Sequence, residues 1–145
     1  MDQTALIAQG IKTAWTAYGS LATDVPGGLV YGLNQPGSLY PYATLLITLG
    51  ETQYTTGTFY VQDYHCDIRV WATQQVATAA QIQTDIYNAL SSTNLTLPNL
   101  ATGCRLVQNT IDTGNVTEDP ERNQQGQYTL ITQARFILTI TETRP

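Results

Sequence analysis

Asp63, His65, Asp67 and Arg69 alternate along one stretch of the chain. On a strand, residues two apart share a face and sit about 6.6 Å apart at the backbone. An Asp and a His at that spacing can ligate a metal or orient an imidazole for proton transfer. Either use needs a third group from another element. The same alternation also describes a solvated or subunit-facing strip of mixed charge. His65 is the sole histidine, so no second imidazole is available for a zinc site or a relay. Cys66 falls with Ile68 and Val70 on the opposite, apolar side, where a thiol acts as a small hydrophobe. Cys104 either does the same or faces Cys66 across strands. Neither belongs to a CxxC pair, and two cysteines are too few for a disulfide framework.

Other chemistry is sparse. Serines stand at 20, 38, 91 and 92, none in a G-x-S-x-G elbow. The glycines at 27, 28 and 37 lack the G-x-x-x-x-G-K-[ST] pattern that cradles phosphate. Glu118, Asp119 and Glu121 gather around Pro120, followed by Arg122. They form either a weak cation site without EF-hand spacing or a solvated turn. Asn94-Leu95-Thr96 and Asn115-Val116-Thr117 match the glycosylation pattern. The start Met1-Asp2-Gln3-Thr4 has no basic segment, so no secretion signal is expected and neither motif is read as modified. Tyr40 and Tyr42 flank Pro41, with Tyr31 nearby; such a cluster marks a contact surface or a minor core under a loop. No catalytic residue, cofactor or metal set emerges.

The composition agrees. In 145 residues, enough for one domain spanning the whole chain, 42% are hydrophobic and only 12% charged. That is half the usual charge; 24 Thr and 14 Gln supply the polarity, and Lys12 is the only lysine. The net charge of −5 is the wrong sign for gripping nucleic-acid phosphates. No run of 18 apolar residues exists to span a membrane.

Periodicity places the elements. Ile7, Ile11, Ala14, Trp15 and Tyr18 form one stripe of a helix over 4–18, capped by Asp2 or Thr4. Prolines and glycines over 19–42 forbid a long element there, leaving one short strand at Leu29-Val30-Tyr31. Residues 42–50 read as a buried strand and 57–72 as a long one, with Tyr60, Gln62, Tyr64, Cys66, Ile68, Val70 and Ala72 on its inner face. Val76, Ala79, Ile82, Ile86 and Leu90 mark a second helix over 74–91, with Thr73 as its cap. Residues 104–111 read as a strand, 112–126 as a polar loop, and 127–142 as the strongest strand. The order α-β-β-β-α-β-β predicts an α+β fold: an antiparallel or mixed sheet with two helices on one face. Sixteen residues of strand reach about 50 Å, well beyond the radius of gyration of about 15 Å expected for such a chain. The long strands therefore either project towards neighbouring subunits or are broken by bulges.

Several of these segments together resemble the small tail-terminator and tail-completion proteins of long-tailed bacteriophages. The first helix, Leu6 to Tyr18, matches the pattern, as does the strand Pro41-Tyr42-Ala43-Thr44-Leu45-Leu46-Ile47. Asp67-Ile68-Arg69-Val70-Trp71 then runs directly into a helix with Ile82 and Ile86, ending in Ala89-Leu90. Glu118-Asp119-Pro120-Glu121 precedes a last strand with Gln127-Tyr128-Thr129-Leu130 and Arg135-Phe136. The 19–42 segment and the Thr/Gln enrichment depart from the pattern.

The resemblance implies a non-enzymatic virion protein that forms a homo-oligomeric ring, a hexamer. The ring caps the tail tube protein and meets the head connector or stopper protein. It implies assembly in the host cytoplasm, no membrane, and DNA passing through the channel without specific binding. Six acidic copies would repel the genome and let it slip. Charge reversal at Asp63 or Asp67, if they line the channel, is then expected to slow DNA passage, and deletion of 114–125 to spare the fold but weaken assembly onto tubes. Candidate subunit and partner contacts are Tyr40, Pro41, Tyr42, Asp63, His65, Asp67, Arg69, Glu118, Asp119, Glu121 and Arg122. The alternatives are a head-side neck protein, a small-molecule-binding or enzymatic α+β domain, and a free-standing adaptor.

Overall fold

A computed structural model describes residues 3–32, 41–54, 59–90, 95–97, 100, 103–120 and 129–143. Three helices and five strands follow one another as α1 (Thr4–Ala17), α2 (Gly19–Asp24), β1 (Leu29–Tyr31), β2 (Tyr42–Tyr54), β3 (Phe59–Thr73), α3 (Val76–Ala89), β4 (Cys104–Glu118) and β5 (Leu130–Thr143). The strands form one mixed sheet in the order β1-β2-β3-β5-β4. β1 is parallel to β2; the other three pairings are antiparallel. The α+β class and the helix-covered sheet are as the sequence predicts.

The period-2 pattern sets the two faces. Ala43, Leu45 and Ile47 of β2, Tyr64, Cys66, Ile68 and Val70 of β3, and Ala134, Phe136, Leu138 and Ile140 of β5 are buried on one side. α1 lays Ile7, Ile11 and Trp15 onto that side near β1 and β2. α3 lays Ala79, Ile82, Ile86 and Ala89 across β3, β5 and β4. Gly114 sits in β4 below α3, and a Cβ there would collide with the Tyr87 hydroxyl and the Gln83 amide. The Gln83 side chain donates to the Gln133 carbonyl at 3.0 Å, tying helix to sheet.

Four expectations need correction. The breaker-rich stretch holds a turn of helix, α2, whose Leu21 is fully buried; six residues between glycines suffice when one side chain anchors them. Neither Gln3 before α1 nor Gln75 before α3 makes a side-chain capping bond, and Asp2, a candidate cap of α1, lies outside the described residues. Thr73 is the buried last residue of β3, and Gln75 stands at the start of α3 in extended conformation. Residues 112–118 are not loop but the second half of β4, paired from Gly114↔Ala134 to Glu118↔Leu130. A polar edge strand lacks an apolar face of its own and takes its register from the partner. Asp119 is no part of a solvated turn either: it is only 6% exposed, and its N–H donates to the Thr129 carbonyl at 3.0 Å.

The long strands are both long and bulged. β3 and β4 have 15 residues each and β5 has 14, against a typical five or six. Register shifts interrupt the pairing at Leu49/Thr52, Val70/Thr73, Leu106/Gln108 and Ile111/Gly114. Bulges raise local twist and let long strands coil. Deleting 114–125 therefore removes the upper part of the β4–β5 ladder. A drop in thermal midpoint of several degrees is expected, and an unchanged melt would show that those pairs contribute nothing.

Candidate functional site

With the helices on one side, the other side of the sheet is left without a covering layer among the described residues. The register brings Tyr42, Thr44, Leu46 and Thr48 of β2 beside Trp71, Arg69, Asp67 and His65 of β3. β5 adds Gln133, Arg135, Ile137 and Thr139 opposite Arg69, Asp67, His65 and Asp63. The alternating strip expected from the sequence thus lies on this open face.

Asp67 is its centre. Its Oδ2 meets Arg69 Nε at 3.3 Å. Its Oδ1 accepts from Gln133 Nε2 at 3.0 Å and faces Arg135 Nε at 3.8 Å. Asp63 accepts from Thr139 Oγ1 at 2.8 Å. Two carboxylates and two guanidiniums thus share the central strands, so this strip is balanced in charge. Loss of Asp67 leaves two arginines side by side. Asp67→Ala should cost about 1–2 kcal/mol, because a half-exposed ion pair is weak and the charge-assisted bond to Gln133 adds to it. Urea unfolding checks this; added salt should shrink the difference.

At one end of the face, Tyr42 and Trp71 stack with ring centroids 6.4 Å apart and planes 15° from parallel. Trp71 Nε1 donates to Thr44 Oγ1 at 3.1 Å, fixing the indole. Pro41 precedes them, half-buried. Toward the other end a pocket of about 270 Å³ is lined by His65, Cys66 and Asp67 together with Leu46, Thr48, Asp112, Arg135 and Phe136. His65 is exposed and leans over Gly50, where any Cβ would overlap the imidazole.

The arrangement separates groups that catalysis would need together. Cys66 points into the core, where burial pushes its thiol up to about 12, while His65 points the opposite way. Among the described residues no three ligating side chains converge on a metal position. No helix of the described residues is long and apolar enough to cross a membrane. Glu118 is exposed at the end of β4, remote from the strip in sequence and not bonded to it. Tyr40, Glu121 and Arg122 lie outside the described residues. The sequence reading missed the β5 half of the cluster. Gln133, Arg135 and Thr139 share a parity visible in the sequence, but only the register pairs them with Asp67 and Asp63.

No protein-family model matches the sequence, and no curated protein does. Among solved structures, a chain of the virion of a native gene transfer agent particle is similar, with 20% identity, a TM-score of 0.57, and coverage of 92% of this chain and 90% of that one. The gp17 protein of bacteriophage SPP1 aligns over 90% of this chain and 86% of its own, with 19% identity and a TM-score of 0.48. At 20% identity the first likeness is one of backbone architecture: this chain has the fold of a gene transfer agent virion chain.

Proposed function

We propose that the chain is a structural protein of a phage-like particle: a tail-completion subunit that forms a ring, a hexamer, at the joint between tail tube and head connector. The observation that carries this reading is the fold shared, over nine-tenths of both chains, with a protein from an assembled virion. The open sheet face and its balanced charges support it. A surface rich in neutral hydrogen-bonding groups can meet a partner without desolvating isolated charges. Pro41, Tyr42, Asp63, His65, Asp67 and Arg69 are the proposed contact residues on that face, with Glu118 at the tip of β4. The net charge of −5 per copy disfavours lasting contact with DNA phosphates, as a conduit requires.

Electron microscopy of particles carrying a gold-tagged copy tests the proposal. Label at the tail-to-head joint, with six-fold density, is the expected result. Label along the shaft, on the shell, or only on free protein would overturn it. Label on the head side of the joint would reassign the chain to the neck.

A further inference from the structure

Six large hydrophobic side chains are well exposed among the described residues: Tyr31, Leu46, Leu49, Val76, Val107 and Ile111. Five of the six lie on β1, on β4 or on the stretch of β2 that β1 leaves uncovered. Tyr31 belongs to β1, Leu46 and Leu49 to β2, Val107 and Ile111 to β4. Exposed aliphatics scattered over a surface need no explanation, but concentration on sheet edges does.

Among the described residues both edges offer main chain without a partner strand, the Gly50 and Glu51 carbonyls accepting from the Gln62 side chain. β4 pairs with β5 along one side only among the described residues. β1 covers β2 only from Ala43 to Leu45, so from Leu46 to Tyr54 the outer side of β2 has no partner strand among the described residues. Natural edges are commonly blunted by Lys, Pro or shortness. β4 has 15 residues without Lys or Pro, and its only charges are Arg105, Asp112 and Glu118. Beside it runs a groove of about 370 Å³, lined in part by Leu95, Leu97, Leu106 and Val107. That groove is wide enough for aliphatic side chains from an incoming strand.

We propose that the β4 edge of one copy pairs in antiparallel fashion with the Leu46–Tyr54 edge of β2 in the next copy, joining the sheets of neighbouring subunits. Strand direction picks this partner. Three successive antiparallel pairings make β2 and β4 run in opposite directions within one subunit. Copies related by rotation about an axis along the strands keep their directions. The β4 of one therefore meets the β2 of the next antiparallel, and every helix layer stays on the same side. The interface joins two different patches, so it propagates from copy to copy and forms a ring when the rotation per copy closes. Charge agrees with the register: setting Arg105 opposite Glu51 sets Val107 opposite Leu49, which are 45% and 59% exposed in the single chain. The pairing deepens the ring reading but stands on the sheet edges alone.

The test is disulfide trapping on the full chain carrying Cys104→Ser, so that only buried Cys66 remains as a native thiol. With Leu49→Cys and Val107→Cys together, mild oxidation of concentrated protein should give a ladder of covalent dimers, trimers and higher species. Either substitution alone should stop at dimers in low yield. Val107→Lys with Ile111→Lys should weaken self-association at least tenfold by sedimentation, with the thermal melt showing that the variant stays folded. A chain that is monomeric at every concentration and gives no ladder overturns the pairing, as does an oligomer indifferent to the lysines. The two proposals fail separately. A six-fold ring on particles without cross-links removes the edge pairing and leaves the ring. A ladder in solution with no label on particles removes the virion placement and leaves the pairing.

Discussion

Phe136→Ala should lower the unfolding free energy by about 3–5 kcal/mol, the cost of emptying a large buried aromatic site. The side chain is 2% exposed, and its residue pairs with Cys66 on one flank and Ile111 on the other. It sits in the sheet where the core residues of α3 press down, so the vacated space has rigid strands around it and little scope to collapse. Against a typical total of about 5–15 kcal/mol, such a loss is a large share of the stability. Urea titration with both midpoint and slope measured gives the number. A loss under about 1 kcal/mol would mean that the helix and sheet do not close over this position.

The second large effect is alkaline. Burial raises the Cys66 thiol from an ordinary value of 9.0 to about 12. The folded state therefore keeps a proton that the unfolded state releases above pH 9. Fewer protons bound when unfolded means that stability falls as pH rises, starting near 9 and levelling off beyond 12. At pH 11 the loss should be about 3 kcal/mol, since each unit of separation is worth about 1.4 kcal/mol. Tyrosines also ionise in this range, so the informative quantity is the difference from Cys66→Ala. That variant is weaker at pH 8, yet its curve should lack this component of the decline. Parallel curves for the two proteins would show that the thiol is not held neutral by the fold.

Much of the architecture was legible because burial imposes periodicity. The stripe Ile7, Ile11, Trp15 and the alternation from Tyr60 to Val70 each answer to a single buried side. The second half of β4 was not legible. Asn115 and Thr117 pair with Gln133 and Ile131 at an edge, where the neighbour's backbone imposes the conformation and leaves little trace in side-chain type. Leu21 hid α2 because one anchoring residue makes no period. The same limit applies to the open face. Asp63, His65, Asp67 and Arg69 could be placed together on one strand, but their meaning depends on Gln133, Arg135 and Thr139, which arrive from the far end of the chain. A strand shows its own faces, and it does not show its neighbour.

The pairing of β3 with β5 also governs how the molecule must come together. The β2–β3 and β4–β5 pairs are each built from neighbours in the chain, closing through Tyr54↔Tyr60 and Glu118↔Leu130. The central seam instead joins residues as distant as Phe59 and Thr143. Closing a long loop carries an entropy cost that short hairpins avoid, and distant contacts slow the search. We therefore expect two hairpins to form early and zip together late around α3. The slowest event in folding would then lie in the middle of the finished sheet.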